Sequence, residues 1–264
     1  MIQRIAMIGA GRLAWSLIPT FQQVGIEVFQ LISRDSAHLN RYQKAYQIPH
    51  TSMKVEDLVS EVDLVLLSVS DGAIQQVANQ LSPVIARFKH APIVAHSSGS
   101  IPLAHLQEAS PKTGIFYPLQ IFTPHAISDL SDAPFFIEGK AESLTDLQKL
   151  ASKISPKVYE MSSEERLRLH MGAVIACNFS NYLYKIAQDQ LPNHLPLQLN
   201  VYEPLLRMTL EKALQEGPEH TQTGPAIRAD LGTLQAHLKL LEEDKGVQDM
   251  YRMMTKMINP RMDL

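Results

Sequence analysis

The sequence predicts an α/β protein in two parts, a mostly parallel sheet wrapped by helices over residues 1–160 and an all-helical domain over 161–264. Three observations predict it. Short apolar runs alternate with segments of helical spacing through the first half, as a wound parallel sheet requires. The run Ile5-Ala6-Met7-Ile8 breaks into Gly9-Ala10-Gly11 and then becomes helical, with Trp15, Leu17, Ile18 and Phe21 at amphipathic spacing. From Ser162 onward only helical patterns remain.

Gly9-x-Gly11-x-x-Ala14, after a strand and at the start of a helix, suits a dinucleotide. Gly9 allows the tight turn, the bare Gly11 lets a pyrophosphate approach the backbone, and small Ala14 brings helix and strand close. The pyrophosphate would rest on the free N–H groups at the positive end of the helix. Gly9, Ala10, Gly11, Arg12 and Leu13 are therefore cofactor-binding candidates, and the first domain is expected to be Rossmann-like. An ordinary glycine turn is the alternative.

The second strand, 27–32, ends in Ser33-Arg34, where the adenosine ribose of a dinucleotide would lie. A hydroxyl and a guanidinium suit a 2′-phosphate, which arginine grips with a planar fork of donors, so NADP is favoured over NAD. Asp35 keeps NAD open, since a strand end shifted by one residue would put a carboxylate in the reading position. Arg34 can also be read as a solvated surface side chain.

Residues 36–46 read as a helix, 48–51 as a short strand, 55–59 as a short helix and 63–69 as a strand covered on both faces. That last strand runs into Ser68-Val69-Ser70-Asp71, which should border the ligand crevice, with Asp71 as N-cap of a helix over 74–88. A fifth strand, 92–95, ends at His96-Ser97-Ser98-Gly99-Ser100, bringing an imidazole and three hydroxyls near the place of a nicotinamide. His96 is either catalytic or a structural histidine bonded to its own loop. Ser68, Val69, Ser70 and Ser97 join the cofactor set. A sixth strand and turn over 113–120 end at Gln120, a substrate-binding candidate, and a seventh strand (134–139), a helix (144–154) and a last strand (157–159) close the domain.

A chain of 264 residues can bury a substantial core without covalent staples. A net charge of −3 offers no footprint for nucleic acid. The single cysteine, Cys177, excludes an intrachain disulfide and a cysteine-cluster zinc site, and no metal is expected. The first strand begins within a few residues of Met1, leaving no room for a signal peptide, and the apolar runs are too short to span a bilayer. A soluble, cytoplasmic protein is expected.

In the second half, Ser162-x-x-Glu165 is a capping-box signature for a helix reaching about Leu191, roughly 45 Å long at 1.5 Å per residue. His170, Asn178 and Asn181, at spacings of eight and three, would share one face of it. Amides buried in this apolar stretch must bond to protein or to ligand. Structural glue is one reading; in the other, His170 and Asn178 are catalytic and Asn181 holds substrate. A second long helix over 196–215 ends at Gly217-Pro218. The loop 221–230 opens another helix, and its Thr223 and Arg228 suit a substrate carboxylate at a helix N-terminus or form a capped turn with an Arg228 salt bridge. Asp230 and His237, seven apart, can pair. Met250, Met253, Met254 and Met257 in the terminal helix look like adaptable packing against a second subunit rather than metal ligands.

The glycine turn, His96-Ser97-Ser98-Gly99-Ser100-Ile101-Pro102, Gly114-Ile115-Phe116-Tyr117-Pro118-Leu119-Gln120, Ala176-Cys177-Asn178-Phe179 and Thr223-Gly224-Pro225-Ala226-Ile227-Arg228 together resemble a bacterial family of two-domain proteins catalogued as NADP oxidoreductases. Its members are Rossmann-like with a helical C-terminal domain of unknown function. More distantly the chain is similar to deazaflavin-dependent NADP reductases, pyrroline-5-carboxylate reductases and β-hydroxyacid dehydrogenases. The resemblance implies a dinucleotide domain, an all-helical second domain, a site in the cleft between them and a homodimer through the helical domain. It also marks a departure. The β-hydroxyacid dehydrogenases carry a proton-transfer lysine one turn before an asparagine, whereas here Val174 precedes Asn178 and Cys177 precedes Asn181.

Two functions of different class are open. One is an NADP-dependent oxidoreductase acting on a small carbonyl or imine, with His170 or His96 replacing the lysine. The other is a dinucleotide-binding sensor or scaffold without catalysis. A Rossmann-like group-transfer enzyme is a third, disfavoured by the helical half.

Overall fold

The computed structural model describes residues 1–123 and 126–262. The chain divides into two compact units, Met1–Ala173 and Val174–Leu264. The first unit contains β1 (Arg4–Ile8), α1 (Arg12–Gln23), β2 (Glu27–Ile32), α2 (Ser36–Tyr46), β3 (His50–Ser52), β4 (Leu64–Leu67), α3 (Ile74–Ile85), β5 (Ile93–His96), β6 (Thr113–Pro118), β7 (Phe135–Gly139), α4 (Glu142–Ile154), β8 (Val158–Glu160) and α5 (Ser163–Ala173). Its eight strands lie in the order β3-β2-β1-β4-β5-β6-β7-β8, all parallel to their neighbours except where β6 meets β7. The order reverses between β1 and β4, so a ligand crevice opens beyond their C-terminal ends.

The central strands are apolar on both faces because both faces are covered. Ile5, Met7, Leu64 and Leu66 point into one core with Phe21 of α1 and Leu147 of α4. Ala6, Ile8, Val65 and Leu67 point into the other, with Ala78 and Leu81 of α3.

Several local expectations change. Residues 55–59 make only a 3-10 turn, Val55–Asp57. Asp71 does not cap α3: it opens a 3-10 turn, Asp71–Ala73, and its carboxylate accepts a hydrogen bond from Ser100 Oγ at 2.6 Å. The first compact unit runs to Ala173 rather than stopping at 160, because α5 is tied to the sheet by Arg166, which bonds Glu138 of β7. At its start the capping box forms as expected: Ser162 N donates to Glu165 Oε2 at 2.9 Å, and Glu165 N donates to Ser162 Oγ at 3.3 Å.

The second unit is helical, with a π-helical segment Val174–Phe179, then α6 (Ser180–Asp189), α7 (Glu203–Glu216), α8 (Pro218–Thr221), α9 (Leu231–Leu240) and α10 (Lys245–Ile258). The helix expected over 196–215 starts only at Glu203, after a 3-10 turn at Leu199–Tyr202. Leu234, Leu238 and Leu241 are buried, and Gln248 Nε2 donates to the Leu238 carbonyl at 2.7 Å. His237 pairs with the Tyr251 hydroxyl at 2.7 Å and not with Asp230, whose carboxylate caps α9 by accepting from Thr233 N at 3.1 Å. Among the described residues no helix is long and apolar enough to cross a membrane.

Phe21 is fully buried, its ring centroid 6.0 Å from that of Phe116. Phe21→Ala is expected to cost about 3–5 kcal/mol, read as a lowered urea midpoint with an unchanged slope. A loss below about 1 kcal/mol would show that this ring is not a core element.

Candidate functional site

Gly9 leaves β1 at φ +110°, a conformation L side chains resist, and a Cβ there would lie 2.5 Å from the Ser68 carbonyl oxygen. The turn is tied on every side. Gly9 N donates to the Ile32 carbonyl and Ser68 N to the Ile8 carbonyl, each at 2.8 Å, while Ser68 Oγ donates to the Gly9 carbonyl at 2.8 Å. Tyr42 of α2 donates its hydroxyl proton to the Gly11 carbonyl at 2.7 Å. Ser68 thus fixes the turn through its own hydrogen bonds. At Gly11 the surroundings are open: a Cβ there would meet nothing nearer than 3.9 Å. The helix beginning at Arg12 has no side-chain cap and no acidic residue in its first turn. Its opening amides therefore keep the positive end of the dipole available to an anion, which fits a pyrophosphate beside Gly9, Ala10, Gly11, Arg12 and Leu13.

Beyond the ends of β1 and β2 lies a cavity of about 340 Å³, lined among others by Ser33, Arg34, Lys54, Val69 and Gln76. Asp35 also lines this space while capping a helix. Its Oδ1 accepts from His38 N at 3.0 Å to cap α2, and that hydrogen bond, ahead of the nearby His38 ring, lowers its pKa. Ser70 is exposed at the N-terminal side of the 3-10 turn that leads into α3.

The loop after β5 is knit internally. His96 is fully buried, and its Nδ1 accepts from Ser98 N at 3.1 Å, which puts the neutral ring's proton on Nε2. Ser98 Oγ accepts from both Ser100 N and Ile101 N at 3.1 Å. Ser97 Oγ, in contrast, is shielded from solvent and has no hydrogen-bond partner. These contacts tie His96 into the loop through Nδ1, while its Nε2, like Ser97 Oγ, is shielded from solvent and has no hydrogen-bond partner.

Tyr117, at the C-terminal end of β6, is a site residue that the sequence reading misses. Its ring packs with Ile115 and Phe136 and against Leu169, and its hydroxyl lies 3.1 Å from His170 Nδ1. Burial raises the Tyr117 pKa, with a smaller opposing effect from Arg166, so the phenol stays protonated. The pair closes over Gly99: a Cβ there would lie 2.5 Å from His170 Nδ1 and 2.9 Å from Tyr117 Cζ. One turn earlier on α5, Arg166 is 1% exposed and donates to Glu138 Oε2 at 2.5 Å and to the Ile101 carbonyl at 2.6 Å. His170 is thus set by a buried ion pair below it and a phenol beside it.

The other expected residues fare differently. Gln120 is spent on its own loop, donating to the Asp129 carbonyl and accepting from Ile121 N. Asn178 and Asn181 are exposed, so burial does not oblige them to find partners, and Asn178 sits in the π segment, where α-helical spacing no longer defines a face. Thr223 and Arg228 are exposed, and Arg228 is in no ion pair among the described residues. The N-terminus of α9 beside them already holds the Asp230 carboxylate, so it is not the anion site the sequence offered.

Burial, then the Arg166 charge, depress the His96 pKa from 6.5 to about 4. The folded pKa lies below the unfolded one, so His96 contributes stability fully above about pH 6.5 and loses it as pH falls toward about 4, about 3 kcal/mol in all. His96→Asn should flatten the pH dependence of the urea midpoint across that window; an unchanged difference between the two proteins would overturn the assignment.

Residues 4–94 match the family described as NADP oxidoreductase, coenzyme F420-dependent, and residues 133–258 match a domain of unknown function, DUF2520. No curated protein matches. Among solved structures, a Bacteroides fragilis protein provisionally assigned as an NADP oxidoreductase is 30% identical, with 98% of this chain and 99% of that one covered and a TM-score of 0.88. The Thermotoga maritima protein TM1727 is 20% identical over 97% of this chain and 98% of its own, at 0.77. An imine reductase from Myxococcus stipitatus, in complex with NADP+, shares the fold at 17% identity over 97% and 93%, at 0.65. With its uncapped glycine turn, mostly parallel eight-stranded sheet and helical second unit, the chain belongs to the family of two-domain NADP oxidoreductases and is an NAD(P)-dependent oxidoreductase.

Proposed function

We propose that the protein is an NADPH-dependent reductase of a small carbonyl or imine compound, with His170 as the proton donor. The observation that carries this reading is the Tyr117–His170 hydrogen bond beside Gly99, at the strand ends where a nicotinamide would lie. Gly9 to Leu13 would hold the pyrophosphate, Ser33 and Arg34 the adenosine end, and Ser97 the nicotinamide side. When bound, NADPH supplies the hydride.

The chain's own task is position and a proton. In its protonated form the ring donates Nδ1–H to the Tyr117 oxygen and holds the transferable proton on Nε2, the nitrogen away from the phenol. From there it passes to the carbonyl oxygen or imine nitrogen as negative charge develops on that atom, leaving the ring as neutral imidazole. His170 takes the place of the lysine of the β-hydroxyacid dehydrogenases, for which this chain has Val174. The absent lysine favours the second reading, a dinucleotide sensor that binds without turnover.

The reading includes a homodimer through the helical unit and work in the reducing cytoplasm. Leu205, Met208, Leu210 and Leu214 of α7 are all exposed, an apolar load that a second copy would cover. Light scattering at micromolar concentration is expected to give twice the chain mass, and a monomer there would remove the dimer.

A screen of NADPH oxidation against oxo-acids, aldehydes and cyclic imines tests the chemistry. His170→Ala should lower kcat about 100- to 10,000-fold with NADPH affinity little changed. Tyr117→Phe, keeping the ring and losing the hydroxyl, should lower kcat less and alter its pH profile. NADPH binding without turnover of any compound would favour the sensor, and an active His170→Ala enzyme would refute the assignment of the proton donor.

A further inference from the structure

We infer that Asp71 selects the substrate by charge, favouring a group that is cationic while it reacts, a protonated imine, and turning away compounds that carry a carboxylate. The inference rests on the reading of His170 as the proton donor. Both residues border the same two-residue stretch: Asp71 Oδ2 accepts from Ser100 Oγ at 2.6 Å, and a Cβ on Gly99 would lie 2.5 Å from His170 Nδ1. Strands β4 and β5 run in register, Leu67 against His96, so Asp71 and Ser100, each four residues further on, lie side by side where the chain leaves the sheet. Asp71 is exposed, and its Oδ1 has no hydrogen-bond or ion-pair partner among the described residues.

The charges around this stretch are otherwise matched. The Arg166 guanidinium is held by Glu138, whose Oε2 also accepts from Ser163 Oγ at 2.7 Å. Burial keeps His96 neutral. After burial and the Arg166 charge, Asp71 acts on both Tyr117 and His96, pushing each pKa up, so its field reaches the phenol that partners His170.

A fixed negative charge suits a positive one that moves. Before reaction the positive charge is on the His170 ring. The imine nitrogen takes the Nε2 proton and the imine carbon takes hydride from NADPH, giving an amine, neutral imidazole and NADP+. An N–H and a C–H bond form as the C=N π bond and the coenzyme's C–H bond break. Once the nitrogen is protonated the cation belongs to the substrate, and Asp71 stabilises it there. A carbonyl instead gathers negative charge on oxygen, and a carboxylate substituent brings its own; Asp71 opposes both. Water screens an exposed carboxylate, so one hydrogen-bonded charge of this kind is worth about tenfold in affinity.

Calorimetric binding to the full chain, with and without saturating NADP+, separates charge from turnover. The probes are pyrrolidine, cyclopentanol and cyclopentanecarboxylate, rings of one size that are cationic, neutral and anionic at neutral pH. Wild type should bind the cation about tenfold more tightly than the neutral ring, and the anion more weakly still. Asp71→Asn, which keeps an acceptor for Ser100, should bring the three within about threefold while moving NADP+ affinity less than about twofold. Ser100→Ala, which loses the hydroxyl and keeps the charge, should preserve the order. An order unchanged in Asp71→Asn overturns the inference, as does a wild type that binds the three alike or binds none. A fall in NADP+ affinity with no change of order makes Asp71 a coenzyme contact and overturns it too. NADPH oxidation with pyrroline and with cyclopentanone then tests the underlying reading. A cation preference with neither compound reduced removes the reductase and leaves the charge selection, whereas faster reduction of cyclopentanone leaves the reductase and removes the selection.

Discussion

The structure depends on one contact between bare main chains, the approach of residue 9 to the Ser68 carbonyl. No side chain fits there, and the positive φ that takes the chain away from β1 would strain one. Because the turn is that tight, β1 can pass between β2 and β4 and still deliver α1 with its first amides uncapped at the crevice. Ser68 and Tyr42 hold the same turn from two other elements. The open helix start is therefore fixed by the packing of the sheet.

A second constraint acts some distance along the sheet. Arg166 enters the protein interior with Glu138 as counter-ion and the Ile101 carbonyl as a further acceptor, joining β7, the loop after β5 and α5. Burying a guanidinium is costly, and removing one partner of such a pair typically costs about 3–5 kcal/mol. The return is positional. His170, one turn on, is held beside Tyr117 and over Gly99, and the Arg166 charge also lowers the pKa of His96 and restrains the rise at Tyr117. The two histidines differ by environment: the fully buried His96 stays neutral with its Nδ1 accepting within its own loop, while the half-buried His170 is bonded through Nδ1 to a phenol.

Much of the first unit is legible in the sequence because its physics is local. Strands β1, β4 and β5 read as continuous apolar runs since both of their faces are covered, and the glycine spacing announces the turn between β1 and α1. The capping box at Ser162 and Glu165 involves residues three apart and forms as expected. Expectations fail where a distant group competes. Asp71 carries the residue type of an N-cap, yet its carboxylate is taken by Ser100, 29 residues away. Helical spacing pairs Asp230 with His237, but the backbone of its own helix and Tyr251 claim them separately. The π segment at Val174–Phe179 has no compositional mark, so a face drawn through His170, Asn178 and Asn181 assumes a repeat the chain does not keep.

The sequence alone determined the order of the elements, the dinucleotide turn and the helical character of the second half, because periodicity and glycine placement act within a few residues of themselves. Only the tertiary structure decided which polar groups are spoken for. Asp35 is a cap, His96 a buried brace and Gln120 a loop fastener, whereas Tyr117 gains a partner 53 residues away. The reason is that a side chain's chemistry depends on burial and on the nearest hydrogen-bonding atom, and both are set by parts of the chain that no local pattern can bring together.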